Sequence, residues 1–105
     1  MSQQPSKNDR SLYRLKFPIA ARPKIKIQEN EFPVTELSEK GIRILPTDKK
    51  LLSIDQSFEA QVIYQSGEQD EVAGHVLRWD GDELILLLAD GITMKRMMQL
   101  QLELK

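Results

Sequence analysis

The 105-residue sequence predicts a mainly β fold, a small antiparallel barrel or sandwich of six short strands followed by a C-terminal α-helix. Three observations predict it. Short runs of alternating apolar and polar residues recur, beginning with the strict "KIKI" of Lys24–Ile27, and period-two alternation marks a strand with one buried face. Turn-forming stretches separate these runs, among them "QEN", "EKG", "QSGEQD" and "DGDE". From Ile92 to the end there is no Gly or Pro, and helix formers take over.

The first nine residues are polar and are expected to form a flexible tail. Residues 10–22 mix Leu12, Tyr13, Leu15, Phe17 and Ile19 with basic side chains, and Pro18 and Pro23 oppose a long helix. An extended, loop-like lead-in is expected there, with the barrel over 23–90. After Lys24–Ile27, "FPVTELS" and "GIRIL" pair around Glu39, Lys40 and Gly41, the glycine being expected to supply a positive φ. "SFEAQVIY" and "EVAGHVLRW" are the next pair. Asp80-Gly81 is a strong hairpin signal leading into "ELILLL", which is expected to be a buried strand. A helix is expected over 92–104, with Thr93 as N-cap and Met94, Met97, Met98 and Leu104 at helical spacing to cover an open barrel end. Met98, Leu100, Leu102 and Leu104 also alternate with period two, so a terminal strand is the competing reading.

A chain of this length suits one domain with a real core. It has no cysteine, which removes disulfides, thiol nucleophiles and thiolate metal sites. No apolar run approaches the ~18 residues of a membrane span, and "MSQQPSKNDR" lacks a signal-peptide core. A soluble cytoplasmic protein is the simplest reading. The net charge of −1 conceals an asymmetry: residues 1–28 carry seven Lys or Arg against one acid, and the remainder carries eight against fifteen. A basic leading segment on an acidic body favours a small or local anion over a long nucleic acid.

Enzymatic signatures are missing. His75 is the single histidine and sits in a strand-like run without a nucleophile motif. Asp80, Asp82 and Glu83 surround a hairpin glycine without calcium-loop spacing, and there is no Gly-rich phosphate loop. No catalytic residue, metal or cofactor is therefore expected. What remains is an arginine pair, Arg10 and Arg14, in "RSLYR", and a polar pair, Glu36 and Ser38, which project from one face of an extended segment. Guanidinium forks match phosphates and the O6/N7 edge of guanine, whereas a carboxylate and a hydroxyl match its N–H donor edge. Arg43 on the next strand and Trp79, which could stack on a base or fill the core, are weaker candidates.

Over most of its length, from about Arg10, the chain resembles PilZ domains, bacterial receptors for cyclic di-GMP. "RSLYR" is similar to their RxxxR motif, and "ELSEKG" to their [D/N]xSxxG motif, with Glu36 in place of Asp or Asn. The resemblance implies a six-stranded split barrel with a C-terminal α-helix. It also implies an N-terminal loop whose Arg10 and Arg14 clamp the ligand, often a stacked dimer of cyclic di-GMP, over Glu36, Ser38 and Gly41. It further implies signalling to an effector protein in motility, biofilm or polysaccharide control. Two alternatives stand beside it: a PilZ-like interaction module that does not bind the nucleotide, and a small nucleic-acid-binding barrel, which an aromatic content of 6% disfavours.

Overall fold

The computed structural model describes residues 14–104; the expected tail over 1–9 and Arg10 lie outside the described residues. The strands are β1 (Arg14–Lys16), β2 (Lys24–Ile27), β3 (Asn30–Ser38), β4 (Gly41–Ile44), β5 (Ser57–Ile63), β6 (Gln69–Asp80) and β7 (Glu83–Asp90), and the helix α1 is Met94–Glu103. Around the sheet the order is β3, β2, β5, β6, β7, β4, and β4 returns to pair with β3. All pairings are antiparallel, giving the six-stranded closed barrel followed by a terminal helix.

β1 is additional to the six. It pairs with β3 at Arg14–Ser38, Leu15–Leu37 and Lys16–Glu36, along the same edge that β2 occupies further down at Lys24–Pro33 to Ile27–Asn30. The two are pieces of one interrupted strand. Pro18 and Pro23 lack the N–H a ladder needs, so the chain leaves the sheet after Phe17, makes a 3₁₀ turn over Ile19–Ala21 and re-enters at Lys24. The loop expected over 10–22 is therefore corrected for Arg14–Lys16, which the ladder on β3 holds as a strand.

The core is the inward row of each strand: Ile25 and Ile27, Phe32 and Val34, Ile42 and Ile44, Phe58 and Val62, Val72 and Val76, Leu84 and Leu86. "ELILLL" is the strand expected, buried along one face: Leu84, Leu86 and Leu88 point in while Leu87 is 40% exposed. Besides a shift opposite Ala73 and Gly74 near the end of β7, two strands change phase beside the outer face of β3 and β4. In β3 the register shifts between Val34 and Glu36, with Thr35 as the extra residue opposite β4; Phe32, Val34 and then Leu37 are buried, so Glu36 and Ser38 face outward. In β6 a shift between Val76 and Arg78 does the same, sending Arg78 and Asp80 outward and Trp79 toward Leu84. Such bulges reverse the facing of everything beyond them because side-chain direction in a strand has period two.

Helix α1 starts where expected, with Thr93 Oγ1 accepting from Arg96 N at 3.1 Å. Its inward face is Met97 and Leu100, with Leu104 partly buried. Met94 and Met98 are exposed, a correction to the expectation that they cover the barrel, because the buried row runs through 97, 100 and 104. Gly91 lets β7 pass the β3–β4 turn on its way to the helix: an added Cβ would lie 1.8 Å from the Glu39 carbonyl, which accepts from Ile92 N. Arg96 fastens the helix to the β5–β6 hairpin, donating to Asp70 at 2.9 Å and Glu68 at 2.8 Å, with its guanidinium 4.9 Å from the Tyr64 ring centre. Tyr64 donates to Asp70, and burial followed by this contact holds its phenol far above the ordinary value.

The bulge at Thr35 is tied on both sides, its carbonyl accepting from Phe17 N at 3.0 Å and its hydroxyl donating to the Arg43 carbonyl at 3.3 Å. Thr35→Val removes the second bond at a buried site and should lower unfolding free energy by about 1 kcal/mol in urea denaturation. The Arg96 hydrogen bond, above all, lowers the Glu68 pKa below the ordinary 4.5. A depressed folded-state value means stabilisation present above 4.5 and lost as the pH falls through the lower value. Hydrogen-exchange protection in α1 should therefore fall in that acidic window in the wild type, and Arg96→Gln should abolish that pH-dependent component.

Candidate functional site

The outer face of β1, β3, β4 and the β6–β7 hairpin carries a row of alternating charge. Arg14 on β1 is 3.9 Å from the Glu36 carboxylate, and the same Oε2 is 3.8 Å from Arg43 Nε. Arg43 in turn donates from Nη1 to Asp80 at 2.8 Å and to Glu83 at 3.2 Å. The register explains the row: Glu36 lies directly opposite Arg43 across β3–β4, Lys16 lies opposite Glu36, and Arg14 lies opposite Ser38. The Glu36 side chain is 14% exposed and Arg14 64% exposed, so the acid is set into the wall while the arginine stands over it. Hydrogen bonding to Asp80, above all, raises the Arg43 pKa, which keeps its charge fixed.

Two adjoining depressions share Arg14, Glu36 and Arg43. One, of about 490 Å³, also has Lys16, Phe17, Arg22, Thr35 and Glu83 in its wall. The other, of about 200 Å³, is completed by Ser38, Gly41, Ile42, Leu77, Arg78 and Ile85. Together they form one cleft with five cationic residues and two carboxylates in its lining. Such a lining suits an anion with hydrogen-bonding edges. A larger depression, about 730 Å³, lies on β2, β5 and β6, but Glu59, Glu71 and Asp90 outnumber Lys26 there, and its charge is wrong for the same ligand.

Of the residues singled out in the sequence, Arg14, Glu36, Ser38, Gly41 and Arg43 all meet in this cleft. Arg10 lies outside the described residues. Trp79 is placed elsewhere: it lines neither depression, packs against the core and carries Lys49 5.1 Å from its ring centre. Gly41 differs from expectation, since the positive-φ glycines among the described residues are Gly67 and Gly81. A Cβ there would sit 3.4 Å from Ser38 Oγ, close to ordinary van der Waals contact. That hydroxyl donates to the Gly41 carbonyl at 3.2 Å and braces the turn, leaving its lone pairs to accept from a ligand. Ser57 stands opposite His75 in the β5–β6 pairing, and no hydrogen bond joins them among the described residues.

Lys16, Arg22 and Arg78 are site residues that the sequence reading passed over. Arg22 had a signal, a basic residue held directly before a proline; Arg78 had none, because its direction depends on the bulge in β6. Among the described residues no helix is long and apolar enough to cross a membrane.

No family model and no curated relative matches the sequence. Among solved structures, the chain is similar to the Bacillus subtilis inhibitor of motility MotI/DgrA, with a TM-score of 0.67 and 17% identity over 89% of this chain and 51% of that one. It is also similar to the Legionella uncharacterized protein Lpg0364, with a TM-score of 0.55 and 17% identity over 88% of this chain and 89% of that one. The chain thus spans about half the length of MotI/DgrA. At this identity the likeness speaks for the fold, and it fits the PilZ-like architecture expected from the sequence.

Arg43 holds carboxylates from three strands together, so its neutral replacement leaves three acids facing one another. Arg43→Gln should lower stability by roughly 1–2 kcal/mol by chemical denaturation, a modest figure because the partners are partly solvated.

Proposed function

We propose that the chain is a PilZ-like receptor for cyclic di-GMP that acts as a cytoplasmic, non-catalytic adaptor toward a protein partner. The observation that carries this reading is the β1–β3 register. It sets Arg14 opposite Ser38, so that the second arginine of "RSLYR" and the polar residues of "ELSEKG" share one cleft although 22 residues separate Arg14 from Glu36. In this reading Arg14 holds a phosphate or the O6/N7 edge of a guanine, and Arg10 adds a second guanidinium from the segment before β1. Glu36 and Ser38 accept from the N1–H and N2–H edge of a guanine, and Gly41 leaves the turn bare enough for the base to approach. The cleft volume has room for more than one base.

The ion pairs to Glu36 suit such a site. At 3.8 and 3.9 Å they are too long for hydrogen bonds, so an incoming phosphate takes Arg14 at little cost. The output runs through Phe17, which lines the cleft on one side and, on the other, a small apolar pocket shared with Leu100 and Leu104 of α1. A regulatory role also accords with the inhibitor of motility among the structures that share the fold. The firm hold of Asp80 and Glu83 on Arg43 favours a second reading, an interaction module in which Arg43 is already satisfied and which binds no nucleotide.

Calorimetric titration with cyclic di-GMP separates the two. Binding is expected, with Arg14→Ala weakening it about tenfold to a hundredfold, the equivalent of one charge-assisted hydrogen bond of ~1.5–3 kcal/mol. Wild-type heat that Arg14→Ala leaves unchanged would overturn the site, and no heat at all would favour the interaction module.

A further inference from the structure

We infer that Arg22 and Lys16 form a second oxyanion subsite in the cleft, taking a phosphate-type group at the connector end, away from Ser38 and Gly41. The inference rests on the reading of the cleft as an anion site and assigns it a distinct second contact. Arg22 lines the larger depression together with Lys16 and Arg14. Its Nε is buried and, among the described residues, has no hydrogen-bond partner. A guanidinium N–H withdrawn from water without an acceptor is costly, and folds rarely keep one without a use. The carboxylates in the same wall are engaged elsewhere: Glu36 faces Arg14 and Arg43, and Glu83 accepts from Arg43. Among the described residues no carboxylate is paired with Arg22, which leaves its guanidinium available to an oxyanion entering the cleft.

The backbone holds Arg22 ready for this. It is followed by Pro23, which is fully buried, and the residue before a proline is confined to extended conformations, as the φ of −67° and ψ of 127° show. Its carbonyl accepts from Gln65 Nε2 at 3.0 Å, which ties this end of the connector to the β5–β6 hairpin. Lys16, at the other end of the connector, is exposed and paired in register with Glu36. A planar guanidinium fork on a backbone held by a proline and an ammonium on a flexible stem make a mixed site, one group matching two oxygens and the other adding charge.

The test uses the full chain, with inorganic pyrophosphate and cyclic di-GMP as separate probes at constant ionic strength. Pyrophosphate should raise the thermal midpoint of the wild type, and Arg22→Met, which keeps an apolar stem and removes the guanidinium, should lose most of that rise. In the absence of either probe, Arg22→Met should be at least as stable as the wild type, because no bond to Nε is broken. An equal rise in both proteins, no rise in either, or a marked loss of ligand-free stability in Arg22→Met overturns the subsite. In calorimetry, Arg22→Met should weaken cyclic di-GMP about tenfold. Undiminished binding would overturn the subsite and keep the receptor reading; absent wild-type binding with Arg22-dependent pyrophosphate protection would overturn the receptor reading and keep the subsite.

Discussion

The register shift at Thr35 is the constraint on which the cleft depends, because one extra residue in a strand reverses the facing of all that follow. Phe32 and Val34 are core residues, and in an unbroken strand Glu36 and Ser38 would follow them inward. An unpaired carboxylate in that interior would cost several kcal/mol. The bulge sends both outward, and its own polar groups are satisfied by the strands on either side through Phe17 N and the Arg43 carbonyl. Those two bonds also place the start of the connector and the strand that carries Arg43. A second shift, in β6, turns Arg78 and Asp80 to the same outer face. The barrel therefore supplies a closed scaffold, and two irregularities in its ladder decide what the scaffold presents.

The electrostatics of that face follow from the same register. Arg14, Glu36, Arg43 and the pair Asp80 and Glu83 form a chain of alternating sign whose members differ in how tightly they are held. Arg43 is 25% exposed and hydrogen-bonded, so it belongs to the wall; Arg14 is 64% exposed and only loosely attracted to Glu36. A loosely held surface ion pair is worth little, so Arg14 is the cation most available to exchange its partner. Glu36 carries one methylene more than the Asp of the motif it resembles, and its carboxylate lies within 3.9 Å of both guanidinium groups.

Much of the fold was legible because its signals are local. Alternation in "KIKI", the turn at "DGDE" and the absence of Gly and Pro after Ile92 each depend on a few neighbouring residues, and the corresponding strands, hairpin and helix are present. The features that were missed depend on partners distant in sequence. β1 exists because β3 offers a free edge beyond the end of β2, and nothing in "RLK" announces that. The phase changes in β3 and β6 follow from pairing with β4 and β7, which is why Glu36 and Ser38 could be placed on one face but Arg78 could not. For the same reason Gly41 was expected at positive φ, whereas the glycines with positive φ among the described residues are Gly67 and Gly81.

The connector between the two prolines joins these separate parts. Pro18 and Pro23 force the chain out of the ladder between β1 and β2, and the excursion carries Phe17 and Arg22 to the wall of the cleft. The same excursion lies against α1, where Phe17, Ala21 and Pro23 share a small pocket with Leu100 and Leu104. Phe17 is buried and Pro23 fully so, which makes both ends of the excursion stiff. The segment has one side on the cleft and the other on the small pocket under the helix. An interruption flanked by two prolines thus places the same few residues between the charged face of the barrel and the apolar underside of α1.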